Sequence, residues 1–268
     1  MEKIVVTPAG RRRYLELLLK NLQKNKSGFD KWVLCLNTSE EEDLNYCRQL
    51  AGRFDWINVL ELEIPHNGSW SIHSFFKHFV APNAVYLRLD DDIVYLEAGF
   101  CEKIFGFREA NPNYFLVYGN IVNNAIIDHL HQRFGSLIYS QHVEYNCMGT
   151  SWKEGFNFEI ENAHRQFINN VKIDQSTNRF KFTPCWILNC FERCSINCIS
   201  WLGREFAKFQ GSVGEDEEQW LSVDKPREIG KPNIIFGEAV CSHFAFHTHR
   251  EYLDATNLLV EYSSIAEI

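Results

Sequence analysis

A six-residue run, Ala84-Val85-Tyr86-Leu87-Arg88-Leu89, passes directly into three aspartates, Asp90, Asp91 and Asp92. An almost continuous apolar run of this length reads as a strand buried on both faces of a parallel sheet, and open α/β sheets place ligands beyond the carboxyl ends of such strands. Three carboxylates crowded there repel one another and lose hydration as the sheet closes around them, so the arrangement is unfavourable unless a cation sits among them. Hard oxygen donors suit Mg²⁺ or Mn²⁺, which take their remaining ligands from water and phosphate. The competing reading is a solvated acidic turn after a strand.

The segments before this run set the fold class. Ile4 to Thr7 reads as a strand, and Leu15, Leu18, Leu19 and Leu22 then recur at helical spacing. Trp32 to Leu36 is a second strand, followed by a helix whose buried stripe is Leu44, Cys47 and Ala51. Ile57 to Ile64 is a third strand, ended by Pro65, and Ile72, Phe75, Phe76 and Phe79 mark the next helix. The order β-α-β-α-β-α-β predicts an α/β fold: a Rossmann-type, mostly parallel central sheet with helices on both faces. Beyond the aspartates, Phe100 to Ala110 is a helix stopped before Pro112, and Tyr114 to Tyr118 is a strand. From Gly119 to Pro184 the chain is rich in Asn, His and aromatic residues, with one helical stretch near Phe158 to Ile168. It reads as loops and irregular elements that shape a pocket.

Composition narrows the function classes. With 268 residues and 45% apolar content, a single domain spanning residues 1–268 is the simplest reading; no boundary is visible between a first half, 1–120, and a second, 121–268. A formal net charge of −8 excludes a general nucleic-acid binder, which needs a basic surface. Met1-Glu2-Lys3 leads straight into Ile4-Val5-Val6 without a signal-like segment, and no stretch reaches the ~18 apolar residues of a membrane span. A cytoplasmic enzyme is the expectation. Nine cysteines, an odd number, show no zinc-knuckle spacing even in the group from Cys185 to Cys198, and read as reduced thiols in packed positions.

Three further clusters fall at the ends of expected elements. Thr7-Pro8-Ala9-Gly10-Arg11 joins the first strand to a helix, where backbone N–H groups and Arg11, Arg12 and Arg13 suit a phosphate or nucleotide; a plain strand-to-helix turn with a solvated basic face is the alternative. Asn37, at the end of the second strand, is a candidate for contact with a base or for capping the helix that follows Thr38-Ser39-Glu40. Gly214-Glu215-Asp216-Glu217-Glu218 reads as a loop entering a helix whose dipole favours acids, or as the source of a general base, with Asp216 first and Glu217 second. In His243-Phe244-Ala245-Phe246-His247-Thr248-His249-Arg250, period-two alternation turns the phenylalanines to the core and sets His243, His247 and His249 on the other face, as metal or diphosphate partners. Strand geometry likewise sets Arg88 beside Asp90, and pairs Asp90 with Asp92 across Asp91.

Taken in order, these clusters resemble the GT-A fold of nucleotide-sugar-dependent glycosyltransferases. In that family an Asp-x-Asp motif holds a divalent cation against the donor diphosphate. A Glu-Asp motif then supplies the base in inverting members, and a C-terminal histidine often completes the metal shell. The matching residues here are Asp90-Asp91-Asp92, Glu215-Asp216, and His243 in preference to His247 or His249; Gly149 and Gly135 are candidates for the family's acceptor-side glycine loop. The resemblance implies a hexosyl- or deoxyhexosyl-transferase using Mn²⁺ or Mg²⁺, a nucleoside-diphosphate sugar donor and a glycan or other hydroxyl acceptor. Donor contacts would come from Thr7, Pro8, Ala9, Arg11, Asn37, Arg88, Asp90 and Asp91. Metal ligands would be Asp90, Asp92 and His243, with Asp216 as the base of an inverting transfer and Arg88 or Arg250 helping to neutralise the leaving diphosphate. Trp70, Trp152, Trp186 and Trp201 are candidates to stack on sugar faces. Two rivals use the same parts: a sugar-phosphate nucleotidyltransferase, against which the single glycine of Thr7–Arg11 counts, and a non-catalytic carbohydrate- or nucleotide-binding module.

Overall fold

The computed structural model describes residues 1–61, 68–183 and 185–266, and the side chains of residues 68–70 and 154 lie outside that description. The chain opens with β1 (Glu2–Ala9), α1 (Arg12–Lys24), β2 (Lys31–Leu36), α2 (Glu41–Arg53) and β3 (Ile57–Leu60). A 3₁₀ stretch (Gly68–His78) follows, then β4 (Ala84–Leu89), β5 (Ile93–Leu96) and α3 (Phe100–Ala110). Next come β6 (Val117–Val122), α4 (Ala125–Phe134), α5 (Asn157–Asp174), β7 (Trp186–Leu188), β8 (Cys198–Leu202) and α6 (Gly203–Ala207). The last part holds α7 (Glu217–Gln219), a π-turn (Trp220–Asp224) running into α8 (Lys225–Ile229), β9 (Asn233–His243), α9 (His247–Asp254) and α10 (Leu258–Ile265).

The strands form one sheet in the order β3-β2-β1-β4-β8-β6-β9-β5, with β7 also paired to β9. From β3 to β4 every pairing is parallel, as the β-α-β alternation requires. Beyond β4 the sheet is mixed: β8 is antiparallel to β4 and β6, while β6 and β9 are parallel. The site therefore sits at a seam, where the run of parallel strands meets its first antiparallel neighbour. Side chains alternate across the strands between two apolar cores. On β9, Ala239 and Cys241 join the larger core and Val240 the smaller one, which is built with α1, α5 and α10.

The second half is more regular than its composition suggests. Residues 119–184 hold most of β6, all of α4 and a five-turn α5 rather than irregular structure alone. The apolar stripe of α4 is Ile126, Ile127 and Leu130, but Asp128 and His131 are buried on the same helix and break the pattern. Strand β6 likewise continues past Tyr118 because buried Gly119 and Asn120 fit its interior. A Cβ on Gly119 would meet Cys198 Sγ at 2.9 Å, and Asn120 Nδ2 donates to the carbonyls of Phe180 and Gly237. The third strand reaches only Leu60, and residues 62–64 and Pro65 lie outside the described residues. All nine cysteines are free thiols, eight of them buried or half-buried.

Candidate active site

Strand β4 is buried along its whole length, and the chain turns immediately after Leu89. That turn ends the strand alternation, so Asp90 and Asp92 do not form the expected pair: Asp90 has its own partners, while Asp91 and Asp92 share Arg11. Arg88 does lie beside Asp90, as the strand spacing requires: its Nε donates to Asp90 Oδ1 at 2.9 Å, and Asn197 Nδ2 donates to Oδ2 at 3.1 Å. Asp91 accepts the Gly10 backbone N–H at 3.0 Å and a two-pronged contact from Arg11 Nε and Nη2. Asp92 faces Arg11 Nη2 at 3.0 Å, His243 Nε2 at 3.4 Å and Arg250 Nη2 at 3.4 Å. Burial works against charge on Asp92, but Arg11, His243 and Arg250 together outweigh it and hold the carboxyl well below the usual carboxylate range. Burial also opposes the His243 imidazolium, and Asp92 more than offsets this, raising its pKa.

His243 ends β9, and its Nδ1 lies 3.0 Å from the Asn123 carbonyl, which leaves Nε2 toward Asp92. The backbone of Asn123 is left-handed, with φ +64°; its N–H donates to Asp128 and its side chain to the Phe244 carbonyl. The three histidines do not share a strand face. The strand stops at His243, and His247 and His249 belong to α9. His249 is buried against Asn157 and the Ser151 carbonyl, while His247 borders the cleft beside the Trp152 ring. Three alternating residues were too short a pattern to distinguish a strand end from a helix start.

The second acidic cluster lies at the start of the helical stretch 217–229. Asp216 is its N-cap: Oδ1 accepts the Gln219 N–H at 3.0 Å, and both oxygens meet Arg193. Its side chain is 52% exposed. Glu217, by contrast, is only 13% exposed; Oε1 accepts Arg88 Nη1 at 2.9 Å and Oε2 has no hydrogen-bond partner. Burial pushes its carboxyl up to about 7, against the pull of Arg88, with Asp90 and Glu218 adding to the rise. Glu218 accepts Arg193 Nε at 2.7 Å.

Asp90 to Asp92, Asp216, Glu217 and His243 all border one cleft of about 940 Å³. Pro8, Arg11, Asn37, Arg88 and Arg250 border it too. Thr7 and Ala9 do not: both are fully buried, and Thr7 Oγ1 accepts the indole N–H of Trp32 at 2.9 Å. Asn37 Oδ1 accepts the Ser71 hydroxyl at 2.9 Å. Trp152 reaches the cleft, Trp201 is buried among Phe76, Tyr86 and Phe206, and Trp186 packs on Tyr145; the side chain of Trp70 lies outside the described residues. Gly135 closes α4 in a left-handed turn, and Gly149 follows cleft-lining Met148. Arg193 and Asn197 were missed in the sequence: each lies in an unpatterned loop and acquires its role only when the sheet brings β8 against β4.

Among the described residues, no three His, Cys, Asp or Glu side chains converge as a protein-only metal cage. Asp92 Oδ1 is nevertheless buried without a hydrogen-bond partner, beside His243 Nε2. One carboxylate and one imidazole at the cleft wall fit a cation that keeps water and phosphate among its ligands. Asp90 is held by Arg88 and Asn197 and does not join that pair.

Neither a family model nor a curated protein sequence matches the chain. Solved structures do. A mannosyltransferase from Pyrobaculum calidifontis in complex with GDP-Man and Mn²⁺ superposes with TM-score 0.52 and 12% identity, covering 99% of this chain and 63% of that one. TarS of S. aureus gives 0.50 and 11%, covering 99% and 71%. The chain has a GT-A-like fold. The same fold carries a CMP:2-keto-3-deoxy-manno-octonic acid synthetase complexed with CTP, at 0.50 and 8% identity over the whole of both chains. The GT-A-like chain described here spans 63% of the mannosyltransferase's length. Its neighbours are transferases, both glycosyl and nucleotidyl. No helix among its described residues is long and apolar enough to cross a membrane.

Proposed function

We propose that this GT-A-like chain is a metal-assisted glycosyltransferase that moves a sugar from a nucleoside-diphosphate donor to an acceptor hydroxyl, with inversion. The observation that carries the reading is the pairing, in one cleft, of a cation-type site at Asp92 and His243 with a buried carboxylate, Glu217, that keeps one free oxygen. A divalent cation, Mn²⁺ or Mg²⁺, would neutralise charge gathering on the leaving diphosphate. Asp92 and His243 would hold it, and Arg11, Arg88 and Arg250 add positive charge nearby. Pro8 and Asn37 border the same cleft on the donor side.

The sequence favours Asp216 as the base, and the geometry favours Glu217. Both oxygens of Asp216 are committed to the helix start and Arg193. Glu217 keeps Oε2 buried without a hydrogen-bond partner and has a pKa of about 7, which suits a base that takes a proton from an attacking hydroxyl near neutrality. The decisive experiment supplies a panel of sugar nucleotides with Mn²⁺ and follows nucleoside diphosphate release for the wild type, Glu217→Gln and Asp216→Asn. Release that depends on neither carboxylate would remove the assignment of the base.

The nucleotidyltransferase reading draws on the synthetase that shares the fold over its full length. Against it, the only glycine N–H of the β1–α1 loop is bound to Asp91. Pyrophosphate release from a nucleoside triphosphate and a sugar phosphate would establish that rival in place of glycosyl transfer.

A further inference from the structure

The guanidinium of Arg11 lies between Asp91 and Asp92. Its Nε is 3.0 Å from Asp91 Oδ1, its Nη2 also meets Asp91, and the same Nη2 is 3.0 Å from Asp92 Oδ2. The side chain is 26% exposed, borders the cleft, and has the Tyr14 ring 5.0 Å behind it. Arg11 is the residue before α1, but its side chain caps nothing there. Its interactions are thus directed at the acids and the Tyr14 ring, and it already supplies the positive charge that the acids need.

We propose that Arg11 is the resident counter-cation of the acidic cluster, and that a divalent cation binds at Asp92 and His243 only by drawing Arg11 off Asp92. The proposal rests on the cation site described above. Two cations on one carboxylate repel each other, and in a buried site little water screens that repulsion. In the donor-free protein Arg11 therefore weakens cation binding. A donor diphosphate reverses the balance, because it brings negative charge to the cation and gives the guanidinium phosphate oxygens to fork onto. Asp91 keeps the Gly10 N–H as a partner when Arg11 moves, so the loop is not left without an anchor. Cation and donor would then bind with positive coupling, each raising the affinity of the other.

The test uses the full chain without donor and needs no turnover. Mn²⁺ is titrated calorimetrically into the wild type, Arg11→Gln, Arg11→Lys and Asp92→Asn, and each protein is melted in chelator and in Mn²⁺. Arg11→Gln is expected to melt lower in chelator, to bind Mn²⁺ about tenfold more tightly than the wild type, and to gain more in melting temperature from it. Arg11→Lys keeps the charge without the fork and should fall between; it also serves if the glutamine variant does not fold without metal. Mn²⁺ affinity unchanged or weaker in both Arg11 variants, yet abolished in Asp92→Asn, would overturn the competition and leave the cation site standing. Failure of Mn²⁺ to bind any of the four proteins would bring down the site and the competition together.

Discussion

Two acidic clusters line the same cleft, and they are neutralised in different ways. Asp91 and Asp92 are buried beneath the tip of β4 and surrounded by side-chain cations, with Arg11 on both and His243 and Arg250 on Asp92. The run from Glu215 to Glu218 stands at the start of a helical stretch, where the helix dipole, Arg193 on Asp216 and Glu218, and Arg88 on Glu217 offset part of its charge, and Glu217 is the most buried of the four. In the exchange proposed above, the first cluster trades one cation for another. The second keeps a single carboxylate poised between protonation states. Holding a diphosphate and accepting a proton, the two tasks proposed for this cleft, need these two different electrostatic settings, and Arg88, bonded to both Asp90 and Glu217, joins them.

The sharpest way to break this comparison is Asp92→Asn, which removes the carboxylate shared by Arg11, His243 and Arg250. It should abolish Mn²⁺ binding and lower transfer by about 10³-fold, measured as nucleoside diphosphate release at a Mn²⁺ concentration that saturates the wild type. Glu217→Gln comes next. Transfer should drop about 10²-fold while donor affinity, read by calorimetry, stays near that of the wild type. The pH profile sharpens the same contrast. If Glu217 is the base, wild-type transfer climbs through about pH 7 as the carboxyl ionises and then levels off, and the glutamine variant loses that rise.

Stability should run the opposite way. Folding raises the Glu217 pKa from its ordinary value to about 7, so its contribution is complete below the ordinary value and is lost as pH climbs through 7. His243, also raised, adds to that loss. Asp92, held low, contributes above the ordinary carboxylate value and loses its contribution only in acid. Melts in chelator at pH 6 and 8 should show the higher pH less stable, with a smaller difference in Glu217→Gln. The mildest effect belongs to the rim: Asp216→Ala removes a helix cap and one partner of Arg193, costing about 1 kcal/mol of stability by denaturant unfolding. A loss of transfer as large as that of Glu217→Gln would return the role of base to Asp216.

The strands and the first two helices of the sheet's parallel half were legible because burial there follows the sequence pattern directly, whereas the helix expected through Ile72, Phe75, Phe76 and Phe79 is a 3₁₀ stretch. All six residues of β4 are buried, and α1 sets Leu15, Leu18 and Leu22 against the core at the expected spacing. Phe100–Ala110 appears with the expected bounds, since Gly99 opens that helix and Pro112 follows it. The second half was harder to read because its interior is polar. Asp128, His131, His164 and Asn120 are all fully buried; Asn120 donates to the Phe180 and Gly237 carbonyls and His164 meets Tyr262 and the Phe244 carbonyl, partners far along the chain that no local pattern reveals. The same holds within the site. Asp90, Asp91 and Asp92 stood out as a run, but their division among Arg88, Arg11 and His243 depends on a turn that ends the strand one residue before them. Arg193 faces Asp216 from 23 positions away in an unpatterned loop, and only the folded sheet pairs them.

The seam at β4 also governs how the cleft can close. Asp90 donates its backbone N–H to the Asn197 carbonyl just ahead of β8, so the floor beneath the acids is a single hydrogen-bonded ladder that joins the parallel strands to the mixed ones. Opening the molecule like a clamshell would mean tearing that ladder. If the proposed transfer takes place here, admission of a reactant falls to the side chains above that floor, from the stretch carrying Met148 and Trp152 and from Arg193, rather than to the sheet.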